Sequence, residues 1–332
     1  MATYDAAITR AQSSQDDLQT HREHCSADPD ALAAIGRAVG QQVRIVRNAS
    51  QYGLYTVSEA RAENRDDIVR MGAAGRQRLG GGSSFHAVVD AQVPHPGMTI
   101  NRAREVGEFV ERLKDDGRHD ELIVIAPHGG DIEPFTDRQA EWVASRLFGV
   151  TSWRCLGFQP GGSAVRAWHI SAVDIREESF PLLATVMPRG FAHAVAFHGS
   201  SEPGILIGGA APAALRQDVR DAVDCALSGS RIDVRVAGPG DEFDGDDPRN
   251  LVNRLTAGGA NGVQIEQSAD ARANHWQAVA DAVADVFAAR IASHSSHLPR
   301  SQKSPRFPAE SGFTARREVG RERRTAGADR PA

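Results

Sequence analysis

The sequence predicts an α/β fold of three layers, in which helices cover both faces of a mostly parallel or mixed sheet. Three observations favour this class. Apolar runs of strand length alternate with helical stripes from about residue 85 to residue 290. The run LIVIA at residues 122–126 is apolar throughout, as is typical of a strand buried on both faces. The segment PHGGDIE follows it, with two glycines and several polar residues, as expected where a parallel strand reaches the sheet edge.

The elements are predicted from periodicity and capping residues. Apolar or alternating runs predict strands at residues 85–93, 122–126, 168–170, 192–197 and 262–266. Apolar stripes predict a helix over residues 102–114 and further helices that begin near Thr136, Pro212, Leu251 and Ser268. Thr136 forms a capping box with Gln139, and Pro212 suits the first turn of a helix. Alternation of the two kinds of element indicates a sheet with helices on both faces.

Composition divides the chain into three regions. Residues 1–40 are polar, and we expect an extension there that is partly helical or disordered. Residues 41–290 carry the alternating pattern and are expected to form a single α/β domain. Residues 291–332 hold nine Lys or Arg and four Asp or Glu with little apolar content, which predicts a disordered basic tail.

Bulk properties exclude several classes of protein. The 332 residues carry a net charge of −5 with no basic stripe, which argues against a nucleic-acid partner. No apolar run approaches the roughly 18 residues of a membrane span, and no secretory signal opens the chain. We therefore expect a protein that is kept in the cytoplasm or released by lysis, with an oligomeric state that the sequence does not indicate. Three scattered cysteines argue against a disulfide framework.

Two histidines and two glutamates end three of the predicted strands. His128 and Glu133 follow the strand at 122–126, His198 ends the strand at 192–197, and Glu266 ends the strand at 262–266. The carboxyl ends of parallel strands share one edge of a sheet, where ligand sites of open α/β sheets lie. Zinc hydrolysis needs three protein ligands, an open water position and a separate carboxylate base. Two histidines and two glutamates supply that set, which predicts a hydrolase with one zinc ion.

Six segments of the chain together resemble the poly-γ-glutamate hydrolase family. They are APHGGDIE at 126–133, WHISAVDI at 168–175, AFHG at 196–199, GILIGG at 204–209, NLVNRL at 250–255 and NGVQIEQS at 261–268. The similarity spans residues 52–290 and implies a zinc-carboxypeptidase-like fold. It also implies His128, Glu133 and His198 as zinc ligands and Glu266 as the catalytic carboxylate. His128 and Glu133 are five positions apart, whereas ordinary zinc carboxypeptidases space them by three, which favours this family over the general one.

The resemblance further implies cleavage of γ-glutamyl amide bonds in poly-γ-glutamate or a related peptide. Such a partner is a polyanionic polymer or a small acidic peptide, and guanidinium groups bind its free carboxylates in two-point fashion. We expect substrate contacts from Arg254, Asn253, His169 and Arg176, with Arg254 favoured because it lies in NLVNRL. His169 has two other interpretations, a core role and replacement of His198 as the third ligand.

Two other hypotheses remain open at this stage. The first is a zinc-dependent deacylase or carboxypeptidase that acts on a small acyl-amino acid or peptide, which would use the same residues in a more closed cleft. The second is a metal-free protein that binds an acidic polymer, although binding alone does not need Glu266. The acidic stretch DEFDGDD at residues 241–247 does not match a calcium loop, so we interpret it as an exposed loop and helix cap.

Overall fold

Two sheets, one closed and one open, organise the part of the chain that the structure describes. The structure is a computed structural model, and it describes residues 2–238 and 240–297. Within these residues, six strands close into a barrel and seven strands form an open sheet. The barrel precedes the open sheet in the chain, and its strands end at Asp90.

The barrel strands pair in the order β1-β5-β2-β4-β3-β6. They are β1 (Thr3–Arg10), β2 (His24–Ala27), β3 (Gln42–Asn48), β4 (Gln51–Ala60), β5 (Ile68–Met71) and β6 (Phe85–Asp90), with helices α1 (Asp16–Thr20), α2 (Pro29–Ala34) and α3 (Ala73–Arg78) between them. Residues 1–40, expected to form a partly helical or disordered extension, contain the helices α1 and α2 but also supply two strands of the barrel. In β1 only Ala6 and Ile8 are fully buried, so a short alternation with polar outward residues concealed the strand.

The open sheet is mixed, as expected. Its strands are β7 (Phe109–Lys114), β8 (Leu122–Gly130), β9 (Thr151–Gly157), β10 (His193–Gly199), β11 (Ile205–Gly208), β12 (Val234–Val236) and β13 (Gly262–Gln267), in the order β12-β11-β13-β10-β8-β9-β7. The central strands β13, β10, β8 and β9 run parallel, and β11 and β7 pair antiparallel with their neighbours β13 and β9. The carboxyl ends of β8, β10 and β13 consequently lie side by side.

Helices cover both faces of this sheet. They are α4 (Ile100–Val106), α5 (Thr136–Arg146), α6 (Ala164–Trp168), α7 (Pro181–Val186), α8 (Ala213–Ala226), α9 (Leu251–Arg254) and α10 (Ala269–His297), with 3-10 turns at Glu177–Ser179, Met187–Arg189 and Ala257–Gly259. Helices α5, α8 and α10 pack on one face around Val195 and Ile265. Helices α6, α7 and α9 pack on the other around Ile125 and Ala196, where Leu54 of the barrel joins the same core.

Three predicted elements differ from the structure. The helix expected at residues 102–114 ends at Val106, because Gly107 adopts a left-handed conformation with φ 77° and the chain continues as edge strand β7. The strand expected at 168–170 is the end of α6, whose carboxyl cap is His169. The strand expected at 85–93 belongs to the barrel as β6 and not to the open sheet.

The predicted disordered tail is wrong at its start, because residues 291–297 continue α10. The remaining tail residues, 298–332, lie outside the described part of the chain. Across the described residues, no helix combines the length and the hydropathy needed to cross a membrane.

Candidate functional site

A cleft opens at the carboxyl ends of β8, β10 and β13. Its cavity measures about 240 Å³, and it is lined by His128, Glu133, His169, Ser171, Ala172, Val173, His198, Gly199, Phe243, Asp244, Gly245, Asp247, Asn250, Gln264 and Glu266. Four of these residues are the histidines and glutamates that were predicted to end three strands. The structure therefore brings His128, Glu133, His198 and Glu266 to one place, as the strand-end argument requires.

The turn after β8 places Glu133 against His128. The pairing of β8 with β9 is irregular between Ala126 and Gly129, and Glu133 N–H donates to the His128 carbonyl at 2.8 Å. Gly130 has φ 71°, and a side chain there would approach the Gly157 carbonyl oxygen to 2.7 Å. The two glycines of the predicted motif are needed for this turn, since any larger residue would force the strands apart.

Three side chains converge within the cleft with their lone pairs facing each other. His128 Nδ1 lies 3.1 Å from Glu133 Oε1 and 3.3 Å from His198 Nδ1, and His198 Nδ1 lies 3.7 Å from Glu133 Oε2. His128 Nε2–H donates to the Ile170 carbonyl at 2.8 Å. Because a carbonyl only accepts, that bond leaves the Nδ1 of a neutral His128 as an acceptor facing a carboxylate and a second imidazole.

A cation relieves this crowding of acceptors. Without a metal ion the cation is a proton: burial opposes a charged imidazole, but Glu133 raises the pKa of His128 to about 9. Burial likewise opposes the charge on Glu133, yet His128 and His198 hold the pKa of Glu133 well below its usual range. Ligand atoms of a tetrahedral zinc ion lie about 3.4 Å apart, given bonds of about 2.1 Å. The three observed separations bracket that value, so the donor set fits a metal ion.

Two further observations support a metal centre. His198 Nε2 is buried and has no hydrogen-bond partner among the described residues, so the ring is held mainly by the contacts of its Nδ1. His169 joins the cluster from the side, with its ring centroid 4.3 Å from that of His128 and Nε2 3.8 Å from Glu133 Oε1. His128, Glu133 and His169 each place a ligand atom within 4.8 Å of the other two.

Glu266 stands beside the three converging groups, and within the described part of the chain no hydrogen bond or ion pair joins it to them. It is the register partner of His198 on the neighbouring strand, and its side chain is 7% exposed. Gln264 Nε2–H donates to Glu266 Oε1 at 3.0 Å, and Gln264 in turn accepts from Asn250 at 2.7 Å. Burial raises the pKa of Glu266 to about 7, and the negative charge of Glu133 adds to the effect. A carboxylate with such a pKa can exchange a proton near neutrality.

Comparison with known proteins identifies the family. A family model described as poly-gamma-glutamate hydrolase matches residues 102–284 of the chain. The chain belongs to the poly-γ-glutamate hydrolase family. The matched segment includes the whole open sheet and all four predicted centre residues, and it begins after the barrel and not at residue 52 as expected. None of the curated proteins matches the chain significantly.

Several solved structures are similar to parts of this chain. A bacteriophage poly-gamma-glutamate hydrolase is 23% identical, with a TM-score of 0.44, over 56% of this chain and 90% of that chain. The zinc-free apo form of YNDL is 18% identical, with a TM-score of 0.42, over 57% of this chain and 91% of that chain. The rationally designed mkDPBB_sym2 protein is 22% identical, with a TM-score of 0.23, over 26% of this chain and 96% of that chain. The zinc-carboxypeptidase-like fold stays a prediction.

Most of the residues expected to contact substrate do not line the cleft. Of the four, only His169 lines the cavity. Arg254 pairs with Glu177 and donates to the Ile175 carbonyl, and Arg176 donates to the Val173 carbonyl at 3.0 Å. These two guanidinium groups are occupied by the protein itself.

Asn253 is fully buried. Its Oδ1 accepts from Ala210 N–H at 3.1 Å, and its Nδ2 donates to the carbonyls of Gly245 and Asp247 at 2.8 and 2.9 Å. The side chain thus ties down the loop that borders the cleft. Among the described residues that line the cavity, none is Arg or Lys.

The sequence analysis missed part of the cleft wall. The stretch at residues 241–247, interpreted as an exposed loop, contributes Phe243, Asp244, Gly245 and Asp247 to the lining. Phe243 itself has a left-handed backbone with φ 66°, which is rare for a bulky residue. Gln264 could have been found, because it lies two residues before Glu266 on the same strand and so on the same face. No signal in the sequence pointed to Glu23, which reaches His169 from the barrel.

Proposed function

We propose that this chain is a zinc-dependent amidohydrolase that cleaves γ-glutamyl amide bonds in poly-γ-glutamate or a related acidic peptide. The observation that carries the proposal is the convergence of His128, Glu133 and His198 beside the buried Glu266, in a chain that belongs to the poly-γ-glutamate hydrolase family. Two imidazoles, one carboxylate ligand and one free carboxylate form the usual residue set of a hydrolytic zinc site.

His128, Glu133 and His198 are the residues that would hold one zinc ion. Their chemistry suits it, because imidazole nitrogen and carboxylate oxygen are its common ligands. The Nε2–H bond of His128 to Ile170 directs the Nδ1 lone pair inward, and Gly199 N–H donates to Glu133 Oε2 at 2.8 Å. When bound, zinc lowers the pKa of water and polarises the scissile carbonyl.

Glu266 is proposed as the proton carrier of the reaction. It takes a proton from the attacking water and passes that proton to the leaving amine. Its burial favours this role, since a pKa raised to about 7 lets the side chain both accept and release a proton near neutral pH. Gln264 donates to one oxygen of the carboxylate at 3.0 Å, and the other oxygen is the one proposed to exchange the proton.

A second candidate function is a zinc-dependent deacylase or carboxypeptidase acting on a small acyl-amino acid or peptide. One observation favours it: no Arg or Lys occurs among the described residues that line the cavity, while Asp244 and Asp247 do. A long polyanion gains little from such a wall, because like charges repel. The two functions share the centre and differ in the substrate that the cleft accepts.

One experiment tests both functions. The purified chain is assayed for zinc content and for cleavage of poly-γ-glutamate, of a γ-glutamyl dipeptide and of N-acyl amino acids, before and after chelation. Polymer cleavage that disappears with the chelator and returns with zinc supports the first function. Cleavage confined to the small substrates supports the second. Folded protein that takes up no zinc and cleaves nothing would contradict both.

A further inference from the structure

The barrel meets the open sheet beside the cleft, at the segment that follows α6. Arg78 of the barrel helix α3 donates to the carbonyls of Arg166 and His169 at 2.7 and 3.1 Å. His24 at the start of β2 places Nε2 3.0 Å from Asp174 Oδ2. Between these two contacts run residues 171–173, all of which line the cavity. The barrel therefore holds one wall of the cleft in place.

Glu23, the residue before β2, makes the most direct of these contacts. His169 Nδ1–H donates to Glu23 Oε1 at 2.6 Å, and Ser171 N–H donates to Glu23 Oε2 at 2.9 Å. The residue is 7% exposed. Burial opposes its charge, but the hydrogen bond from His169 and the positive charge of Arg78 bring the pKa of Glu23 to about 2. Glu23 is consequently a carboxylate at neutral pH, and it can only accept hydrogen bonds.

This carboxylate decides which nitrogen of His169 faces the cleft. A carboxylate oxygen can only accept a hydrogen bond, so the 2.6 Å contact with Glu23 Oε1 places the proton of a singly protonated His169 ring on Nδ1. With the proton on Nδ1 toward Glu23, the lone pair lies on Nε2, which is 3.8 Å from Glu133 Oε1. An imidazole fixed by a carboxylate on one nitrogen and free on the other is the usual arrangement of a histidine that serves a metal centre or its substrate.

Glu23 also binds the residues on either side of Ile170, whose carbonyl orients His128. It binds the side chain of residue 169 and the backbone of residue 171, and the carbonyl between them, that of Ile170, accepts from His128 Nε2–H at 2.8 Å. Fixing both neighbours restricts the peptide at Ile170. The barrel thus acts on two histidines of the cleft through a single side chain.

We propose that Glu23 is a positioning residue for the hydrolytic centre: the barrel supplies the carboxylate that fixes the tautomer and the direction of His169. The active cleft is then assembled from both halves of the chain. This inference rests on the proposed function for its catalytic consequence, whereas the orientation of His169 can be tested without substrate or metal.

The first test is the tautomer of His169 in metal-free protein, measured by ¹⁵N–¹H correlation of the histidine rings. The His169 signals are assigned by their loss in His169→Gln. We expect the Nδ1–H form in the unsubstituted protein at neutral pH. This arm needs no substitution at Glu23, so it remains decisive where a variant fails to fold. An Nε2–H or doubly protonated ring would overturn the proposal.

The second test compares Glu23→Gln with Asp174→Asn. Glu23 offers an acceptor oxygen to each of two donors, whereas a glutamine offers one oxygen and one NH₂ group. The NH₂ group must therefore face either Ser171 N–H or the Nδ1–H of His169, and in both cases two donors meet. We expect Glu23→Gln to lose the Nδ1–H preference and to lower kcat about 10- to 100-fold, as for other groups that orient a metal-site histidine. Asp174→Asn removes the negative charge from the His24 contact across the same interface but keeps an oxygen that can accept from His24, and it does not touch His169, so it should keep both the tautomer and kcat.

The outcomes separate the inference from the proposed function. An unchanged tautomer in Glu23→Gln would overturn the inference, as would equal effects of the two substitutions on tautomer and kcat, since the interface would then act only through stability. Protein that shows the expected tautomer change but cleaves no γ-glutamyl substrate would uphold the positioning by Glu23 and contradict the proposed function.

Discussion

His198 and Glu266 are direct register partners on the adjacent parallel strands β10 and β13. Their side chains leave the sheet side by side and face the same cleft, because paired residues of a parallel sheet point to the same face. His198 is one of the three converging acceptors, whereas Glu266 accepts a hydrogen bond from Gln264. This arrangement places the proposed metal ligand and the proposed proton carrier on neighbouring strands, and it leads to the following predictions.

Replacement of a ligand residue should abolish metal binding. We expect His128→Ala to lose stoichiometric zinc, because removal of one of three ligands leaves an incomplete site. Metal content of the purified variant, measured by mass spectrometry, checks this. His86→Ala is the matched control, since His86 is exposed on the barrel, and it should keep its zinc. Normal zinc content in His128→Ala would rule out the ligand assignment.

Replacement of the free carboxylate should separate binding from turnover. We expect Glu266→Gln to retain zinc and to lose about 10²- to 10⁴-fold in kcat, the usual contribution of a general base. Parallel assays of zinc content and hydrolysis check this, with the exposed Glu202→Gln as a control that keeps both. Retained turnover in Glu266→Gln would remove this residue from the mechanism.

The pH dependence should follow the ionisation of Glu266. Burial raises its pKa to about 7 in the metal-free protein, and a bound cation nearby can only lower it. The ionised form accepts the proton, so kcat/KM should fall as the pH decreases through a midpoint no higher than about 7. A pH profile of kcat/KM checks this. An acid limb centred well above pH 7 would contradict the assignment of the base.

Replacement of Asn253 should affect stability more than substrate affinity. Asn253→Ala removes one acceptor and two donor contacts from a fully buried side chain, which should cost on the order of 3 kcal/mol of unfolding free energy. Denaturant unfolding measures the loss. Asn274→Ala, at an exposed position of α10, should change stability by less than about 0.5 kcal/mol. A raised KM with unchanged stability would instead support the substrate contact first expected for Asn253.

The convergence of His128, Glu133, His198 and Glu266 could be predicted, because each of these residues belongs to a short segment of sequence that is recognisable by itself. An apolar run that ends in His or Glu is visible in the sequence, and parallel strands bring their carboxyl ends to a common edge. The glycines between His128 and Glu133 likewise indicated a tight turn, and Gly130 adopts a left-handed conformation there. The family resemblance carried by these segments is confirmed over residues 102–284.

Contacts between distant segments were decided only by the tertiary structure. Arg254 lay in a promising motif, yet in the folded chain it pairs with Glu177, and no periodicity encodes that partner. The barrel escaped detection because strands such as β1 carry only two fully buried residues among polar neighbours, so their alternation is weak. Glu23 and His169 are 146 positions apart, and they meet only because the barrel docks on the segment after α6. The sequence by itself determined which side chains end the strands. The packing of the barrel on the sheet determined which groups surround those side chains. Burial and charge pairing depend on neighbours that only folding brings together.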